Sequence, residues 1–278
     1  MKVTFYGVRG SYPRPSPKTQ RYGGNTSCVV VEVEGQSPLL LDLGTGLASM
    51  APSAGGPPGD AGFRGTALVT HLHFDHVLGL PFFTPFNRPG AHLQVFGPPQ
   101  PEGSLADAFD ALVRPPYFPI DLRDLRGDIT FQEVSADSFA VGALRVTSRL
   151  IPHVGPTLGY RIESGDKTLC YISDHQAPSD LQTVADGVLE LSDGADLLIH
   201  DAQYTHAEFL AKPDWGHSTV DYAVVVARQA GVRRLCLFHH DPAHVDDELD
   251  QMLAAARALA EGSGIEVIAA AENLVVSV

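Results

Sequence analysis

Residues 66–76, TALVTHLHFDH, carry the most informative pattern in the chain. Four potential metal ligands follow the apolar run within six positions, namely His71, His73, Asp75 and His76. A tight turn at a strand end lets four such side chains converge on one point, whereas a helix or an extended strand would spread them. Imidazole and carboxylate groups bind zinc, manganese, iron and nickel. The stretch therefore predicts a metal site directly after a strand.

Three further segments supply candidates for the remaining ligands. His153 lies in LIPHVGP, Asp174 in YISDHQ, and the pair His239 and His240 in LCLFHHDP, each after a strand-like run. Taken alone, each side chain is better explained as a loop histidine or a capping aspartate. Each of these side chains follows a strand, as the first motif does. This shared position indicates that they meet the residues of the first motif. The residues alone leave open which of the two adjacent histidines is the ligand.

The charge balance limits the class of partner. The 278 residues include 19 lysines and arginines against 33 aspartates and glutamates, which gives a net charge of −14. A surface this negative repels phosphate polymers at long range and disfavours tight non-specific binding to RNA or DNA. A small anionic substrate is still compatible with it, because bound metal cations dominate the local field.

The cysteines and the apolar runs indicate the setting of the chain. Cys28, Cys170 and Cys236 lie in apolar, strand-like contexts and form no C-x-x-C pair, so we expect buried free thiols and no zinc knuckle. The opening MKVTFYGVRG lacks the long apolar core of a signal peptide. Apolar runs stay near about five residues, far short of a membrane span. We expect a reduced cytoplasmic setting.

Strands and a few helices are interspersed along the chain without an internal repeat. Short runs rich in Val, Leu and Ile predict strands, at residues 3–6, 27–33, 39–43, 66–69, 93–96, 144–150, 158–162, 169–172, 197–199, 235–238, 266–270 and 274–277. Many strands with helices between them favour an α/β fold in which two sheets are covered by outer helices.

Apolar periodicity predicts three helices. The clearest spans about residues 246–261, with Leu259 on its inward face. A second begins after Ser218, whose hydroxyl would cap the helix while Asp221 completes a capping box. A third lies around residues 104–113.

Two segments differ in composition from the rest of the chain. Residues 51–65 are dense in glycine and proline and predict a surface loop. Residues 81–126 are rich in proline and aromatic residues and predict an insertion beside the core. We expect one domain over residues 1–278, with this segment as its insertion.

The order His-x-His-x-Asp-His, then His, then Asp, then His resembles the metallo-β-lactamase superfamily. The segments DLLIHDAQY, IPHVGPTLGYRI and WGHSTVDYAVVVARQAGVRRLCLFHHDP are similar to those of ribonuclease Z and its phosphodiesterase relatives. The opening GVRGSYPRPSPKTQRYGGNTSC, with LLLDLGTG and PPYFP, resembles small hydrolases of a cyclic-phosphodiesterase branch. The resemblance implies an αβ/βα four-layer sandwich with metals at the lip between two sheets.

The resemblance also implies two divalent ions that share seven ligands. The ligands of the first ion are three histidines, His71, His73 and His153. Those of the second are Asp75, His76 and His239. Asp174 would bridge the pair, and His239 is preferred to His240 because it aligns with the final ligand of the family. Such a set selects no single metal, and zinc and manganese both suit it.

One further histidine suits the leaving group of a hydrolysis. His217 lies in WGHST, before the N-terminus of a predicted helix, where backbone N–H groups favour an anion. Asp201, in LLIHDAQY, matches the acidic residue that partners this histidine in the ribonuclease Z branch. A carboxylate bonded to the imidazole fixes its tautomer, so we expect His217 to act as a general acid. The alternative is a histidine that merely caps a loop.

Two cations roughly 3.5–4 Å apart can share a hydroxide and clamp the oxygens of a phosphodiester. The segment GHST and the aspartate of IHDAQY favour a phosphodiesterase within the family, because they supply chemistry for the leaving group. Ribonuclease Z carries an arm that grips transfer RNA, but only 21 positions separate His153 from Asp174 here. We therefore expect a small phosphodiester, a cyclic nucleotide or a related cyclic phosphate. The alternatives are an RNA-processing nuclease, a lactone or thioester hydrolase, and a non-catalytic binding module. The resemblance suggests a homodimer. From the net charge and the short apolar runs, we expect neither a nucleic-acid polymer nor a membrane as a partner.

Other side chains support weaker predictions. The proline-rich segment offers five rings that could stack on a base, although burial is the commoner fate of such residues, namely Phe82, Phe83, Phe86, Tyr117 and Phe118. Arg88 and Arg114 could meet a phosphate or remain in solvent. Among the remaining histidines, we expect His200 and His240 to orient ligands.

Overall fold

The computed structural model describes residues 1–50 and 62–278. Most of the predicted surface loop at residues 51–65 lies outside the described residues. Within them, the first sheet contains seven strands, namely β1 (Lys2–Gly7), β2 (Cys28–Glu32), β3 (Leu39–Leu41), β4 (Arg64–Leu68), β5 (His92–Gly97), β6 (Asp128–Glu133) and the last strand of the chain, β14 (Val275–Ser277). They follow the spatial order β14-β1-β2-β3-β4-β5-β6, with β3 to β6 parallel.

The second sheet has a similar arrangement, in which antiparallel strands are followed along the chain by parallel ones. Its described strands are β7 (Ser138–Val141), β8 (Leu144–Leu150), β9 (Leu158–Ser164), β10 (Lys167–Ile172), β11 (Leu197–Asp201), β12 (Arg234–Phe238) and β13 (Glu266–Ala269). They follow the order β13-β12-β11-β10-β9-β8-β7, with β10 to β13 parallel and β7 to β10 antiparallel. Each sheet therefore contributes several parallel strand ends to one edge.

Helices cover the outer faces of both sheets. In the described chain they are α1 (Phe74–Val77), α2 (Leu105–Leu112), α3 (Asp186–Ser192), α4 (His206–Ala211), α5 (Val220–Gln229) and α6 (Asp246–Ala260). One apolar cluster lies between the sheets and joins residues of both, such as Phe5 and Tyr171. Each sheet also packs against its own helices through one further apolar cluster. These four layers confirm the αβ/βα sandwich that the resemblance implied. One domain over residues 1–278 stays a prediction.

Two strands were not predicted from the sequence. β6 and β7 are the outermost strands at one end of each sheet. Their residues are exposed or half-buried, so the continuous apolar run typical of the central strands is missing. β5 lies inside residues 81–126 and pairs with β4, so this segment contributes to the sheet and is not wholly an insertion beside the core.

Two details of the predicted helices were wrong. The cap of α5 is Thr219, whose hydroxyl accepts a bond from the Tyr222 amide, whereas Ser218 donates its hydroxyl to the His175 carbonyl at 2.6 Å. The helix therefore starts one residue later than predicted and has no capping box with Asp221. On α6, Leu259 is 45% exposed, because the buried stripe runs through Met252, Ala256 and Ala260 and leaves Leu259 on the solvent side.

The three cysteines are buried free thiols, as predicted. Burial raises the pKa of the Cys170 thiol to about 12 and raises those of Cys28 and Cys236 as well. Because the thiolate is the reactive form, we expect no labelling of the folded protein by a thiol reagent at pH 8. Mass spectrometry should show three labels per chain only after denaturation, and rapid labelling of the native protein would contradict this packing.

Within the described residues, no helix combines the length and the apolar character needed to cross a bilayer.

Candidate metal centre

The first group of ligands comprises three histidines that meet at one end of the sandwich. His71 and His73 follow β4, and His153 follows β8 in the opposite sheet. His71 Nε2 lies 2.8 Å from His73 Nδ1, and His153 Nε2 lies 3.4 Å from the same nitrogen. Burial lowers the pKa of all three imidazoles, so they are neutral near pH 7. Neutral imidazole is the form that binds a metal.

The second group combines two carboxylates with two imidazoles. Asp75 Oδ2 lies 3.2 Å from His76 Nε2 and 3.0 Å from His239 Nε2. Asp174 Oδ1 lies 3.1 Å from His76 Nε2 and 3.3 Å from His239 Nε2. All four side chains are buried, and one ligand atom from each lies within 4.8 Å of the others.

Asp174 stands between the two groups. Its Oδ1 faces the second group, while its Oδ2 lies 3.8 Å from His71 Nε2 and 3.8 Å from His153 Nε2. Neither oxygen has a hydrogen-bond partner in the described structure, and His76 Nε2 also lacks one. Buried polar atoms without partners are costly, and a bound cation would satisfy these three together. The donor set therefore fits divalent metal ions.

The charges within this cluster depend on one another. Burial opposes ionisation of Asp174, but the imidazoles of His239 and His76 outweigh it and hold the pKa of the carboxyl well below its usual range. Burial also opposes protonation of His76, yet the adjacent carboxylates raise the pKa of this imidazole well above its usual range. Without metal, the raised pKa values of His76 and His239 favour protonated rings that offset the carboxylates, and a divalent cation would displace those protons on binding.

Polar groups behind the ligands fix the orientation of their rings. His76 Nδ1 lies 2.8 Å from Asp42 Oδ2, and Tyr171 donates its hydroxyl to the same oxygen at 2.9 Å. Asp42 Oδ1 accepts a bond from the Thr70 amide at 2.7 Å. Asp42 was not predicted as a site residue, because only the pairing of β3 with β4 places it behind His76. A carboxylate on the second ring nitrogen fixes which nitrogen faces the metal.

Other ligands are held by neutral acceptors. His153 Nδ1 lies 2.7 Å from the Gly216 carbonyl, and His239 Nδ1 lies 2.8 Å from Gln203 Oε1. Gly10 packs so closely against His239 that a Cβ atom there would lie 2.4 Å from the imidazole Cε1. The expected orienting role of His200 is not observed directly, since its ring contacts the Asp201 carbonyl and another histidine.

The two adjacent histidines after β12 point in opposite directions. His239 faces Asp75 and Asp174, whereas His240 Nε2 donates to the Ala270 carbonyl at 2.9 Å. Burial lowers the pKa of His240 to about 3, so this ring is neutral and serves the packing of the chain. His239 adopts a positive φ of 58°, which turns its side chain towards the cluster.

His217 lies beside the cluster and is paired with a carboxylate. Its Nδ1 is 3.0 Å from Asp201 Oδ2 and 3.8 Å from Asp174 Oδ2, and its ring stacks on that of His239. Asp201 also accepts bonds from the amides of His175 and Gln203, so its carboxylate is fixed at the end of β11. His217 therefore has the partner predicted from the sequence and one ring nitrogen left for another group.

A cleft of about 330 Å³ opens onto these residues. Its described lining includes no lysine or arginine, and consists of Ser11, Leu72, His73, Phe74, Asp75, Asp174 and His217. Ser11 donates its amide to Asp75 Oδ2 at 2.7 Å. Neither Ser11 nor Phe74 was predicted, because neither type of side chain signals metal chemistry.

The aromatic and arginine candidates from residues 81–126 do not line this cleft. Phe83 and Phe86 are buried in the core, Phe82 packs edge-on against Phe118, and Tyr117 is 82% exposed. Arg88 and Arg114 are likewise absent from its described lining. The expectation of core burial is confirmed for two of the five rings.

Known proteins share this sequence pattern. Residues 39–240 match the model of the beta-lactamase superfamily domain, a range that includes all seven candidate ligands together with Asp42, Asp201 and His217. The chain is 28% identical to a ribonuclease Z of Haloferax volcanii over 309 residues, which covers 94% of this chain and 91% of that relative.

Solved structures share the fold. The metallo-beta-lactamase fold protein YhfI of Bacillus subtilis has a TM-score of 0.71 at 20% identity, covering 99% of this chain and 98% of that one. The short form of human tRNase Z has a TM-score of 0.69 at 24% identity, covering 100% and 99%. The family model spans most of the chain and every strand end at the cluster. The chain therefore belongs to the metallo-β-lactamase superfamily, as a metal-dependent hydrolase related to ribonuclease Z.

Proposed function

We propose that this hydrolase cleaves a small phosphodiester, either a cyclic nucleotide or a related cyclic phosphate, and acts as a homodimer. The observation that carries the proposal is the position of His217 in the cleft, 3.0 Å from Asp201 and beside Asp174. A phosphodiester has an alkoxide leaving group that needs a proton, and a histidine held by a carboxylate is suited to supply it.

We further propose that the two groups of ligands hold two divalent ions, zinc or manganese. The first group is His71, His73 and His153. The second is Asp75, His76 and His239. Asp174 would bridge them, which is supported by its two unpartnered oxygens facing opposite groups. Bound cations of this kind lower the pKa of coordinated water and polarise phosphoryl oxygens.

The side chains of the protein perform the remaining steps in this proposal. Asp201 accepts a hydrogen bond from Nδ1–H of His217 and stabilises the protonated ring, whose Nε2–H can then be donated to the departing oxygen, leaving neutral imidazole. Ser11 holds Asp75 in place through its amide, so the carboxylate keeps its orientation as substrate enters.

A small substrate is favoured over a polymer. The cleft lining holds no described lysine or arginine, and the chain carries a net charge of −14. The interval between His153 and Asp174 is filled by β9 and β10, which are joined by a two-residue turn. A long nucleic acid gains most of its affinity from cationic groups that neutralise phosphates.

The second candidate is an RNA-processing nuclease, which the 28% identity to ribonuclease Z over 94% of the chain favours. Specific cleavage of precursor transfer RNA by the metal-loaded protein would establish it. The third is a lactone or thioester hydrolase, for which His217 would be dispensable. Undiminished lactonase activity in His217→Ala would favour that class.

A substrate screen tests the proposal. Metal-reconstituted protein is assayed against 2′,3′- and 3′,5′-cyclic mononucleotides, a linear bis-aryl phosphate, precursor transfer RNA and a lactone. We expect turnover of at least one cyclic phosphate, accompanied by release of one phosphomonoester per substrate. Hydrolysis of the lactone alone would contradict the phosphodiesterase assignment, and sedimentation of the same sample tests the homodimer.

Substitution of the adjacent histidines tests the ligand assignment. We expect His239→Ala to lose the metal of the second group, because its Nε2 faces Asp75 and Asp174. His240→Gln keeps a donor for the Ala270 carbonyl and should keep the full metal content. Metal per chain is measured by elemental analysis after dialysis. The reverse pattern would make His240 the ligand.

A further inference from the structure

A second cleft, of about 410 Å³, adjoins the metal cleft between α1 and α2. The two clefts share Leu72 and Phe74 in their linings, so they lie side by side. Their chemistry differs, because the metal cleft contains carboxylates and imidazoles, whereas the described lining of the second cleft contains no charged side chain. A substrate that spans both would place a charged group in the first cleft and a neutral, apolar group in the second.

Phe74 forms the boundary between the clefts. Its side chain is 69% exposed, although it stands between the candidate ligands His73 and Asp75 and the other three residues of α1 are buried. It makes no aromatic pair with any ring in the described chain, so packing of the fold does not explain its exposure. A large exposed aromatic residue at the rim of a site is a typical contact for a ligand.

The opposite wall suits a flat ring. Ala108, Ala111 and Leu112 of α2 contribute small or apolar side chains. Gln100 is the one polar side chain in the described lining, and its Nε2 donates to the Pro98 carbonyl at 2.9 Å. That bond fixes the amide, and no described group donates to Oε1, which can therefore accept an N–H from a ligand.

We propose that the second cleft binds the neutral ring of the substrate, a nucleobase, with Phe74 as the stacking surface, while the phosphate lies in the metal cleft. This inference rests on the proposed function and deepens it, because it assigns the part of the substrate that determines specificity. Stacking on an aromatic residue recognises any flat ring, and the amide of Gln100 adds a contact for a ring that carries an amino group. The volume is within the range of small-molecule sites.

Binding measurements test the inference without relying on turnover. Affinities of the metal-loaded protein for adenosine 5′-monophosphate, phenyl phosphate and ribose 5-phosphate are measured by calorimetry. We expect the nucleotide to bind at least about tenfold more tightly than the sugar phosphate, which corresponds to about 1.4 kcal/mol. Phenyl phosphate separates stacking from recognition of the edge of the base. If it binds as tightly as the nucleotide, the cleft accepts any aryl ring. If it binds more weakly, the cleft also contacts polar groups on the edge of the base.

Two variants locate the effect. Phe74→Ala removes the stacking surface, and Ala111→Trp fills the cleft from α2 without touching a candidate ligand. Both should reduce the preference for the nucleotide to less than about twofold and leave the affinity for ribose 5-phosphate unchanged. Asp110→Trp adds the same bulk at the exposed neighbouring position of α2, outside the described lining of the cleft, and should keep the preference. Metal content is measured for each protein.

The inference would be overturned if the wild type bound adenosine 5′-monophosphate and ribose 5-phosphate equally, or if it bound neither of them. It would also be overturned if both Phe74→Ala and Ala111→Trp kept the preference for the nucleotide. Its failure differs from failure of the proposed function. A protein that prefers the nucleotide but hydrolyses no phosphodiester would contradict the function alone, whereas one that hydrolyses cyclic phosphates without a preference for the ring would contradict the inference alone.

Discussion

We expect His217→Ala to lower kcat for a cyclic phosphate by roughly 10²- to 10⁴-fold, the usual contribution of a general acid. The ring faces the cleft and is bound to Asp201 at 3.0 Å, so its removal takes away the proton donor but none of the seven candidate ligands. Metal content should stay at the wild-type value. Steady-state kinetics and elemental analysis of the same preparation measure both quantities.

Two further substitutions make this result specific. Asp201→Asn keeps the volume of the side chain but removes the charge that holds the ring, so we expect a smaller loss, of about tenfold or more. His206→Ala removes an exposed histidine of α4 and should change neither quantity. Unchanged turnover in His217→Ala would remove His217 from the mechanism, and loss of metal would make it a ligand instead.

We expect Asp174→Ala to lose both metals and at least about a hundredfold in activity, since even residues that only orient a ligand cost about 10- to 100-fold. Asp174 is the one candidate whose oxygens face both groups, and both oxygens are buried. Calorimetric titration of the metal-free variant with zinc should show no high-affinity binding. Circular dichroism establishes that the variant is folded.

A matched control separates this effect from the general loss of an acidic group. Asp166→Ala removes a carboxylate from the exposed turn between β9 and β10, at the opposite end of β10 from Asp174. It should bind metal and turn over substrate as the wild type does. If folded Asp174→Ala kept one tightly bound metal, Asp174 would belong to a single group and would not bridge the two.

The candidate ligands could be predicted because each follows an apolar strand at a position that the sequence displays. The parallel strand ends β4, β10 and β12 meet at one edge, so Asp75, Asp174 and His239 converge although they lie far apart in the chain. At these positions, the apolar strands visible in the sequence and the order of the strands in the two sheets indicate the same residues. The four-layer sandwich itself was implied by the resemblance of the motifs to the metallo-β-lactamase superfamily, whereas the local pattern predicted only two sheets covered by helices.

The groups that the sequence did not reveal depend on contacts between distant segments. Asp42 is recognisable as a partner of His76 only once β3 is known to lie beside β4. In the sequence, Phe74 cannot be distinguished from a core residue. Only the folded chain shows that its ring is exposed at the rim of two clefts. Edge strands β6 and β7 could not be predicted from an apolar run, because their side chains are exposed or half-buried and only a buried strand requires such a run.

Anomalous diffraction from crystals of the zinc- or manganese-loaded protein tests the central claim most directly. We predict two peaks roughly 3.5–4 Å apart, one among His71, His73 and His153 and the other among Asp75, His76 and His239, with Asp174 in contact with both. Crystals grown with saturating metal that show no peak at these seven side chains, or a peak at some other position only, would contradict the account.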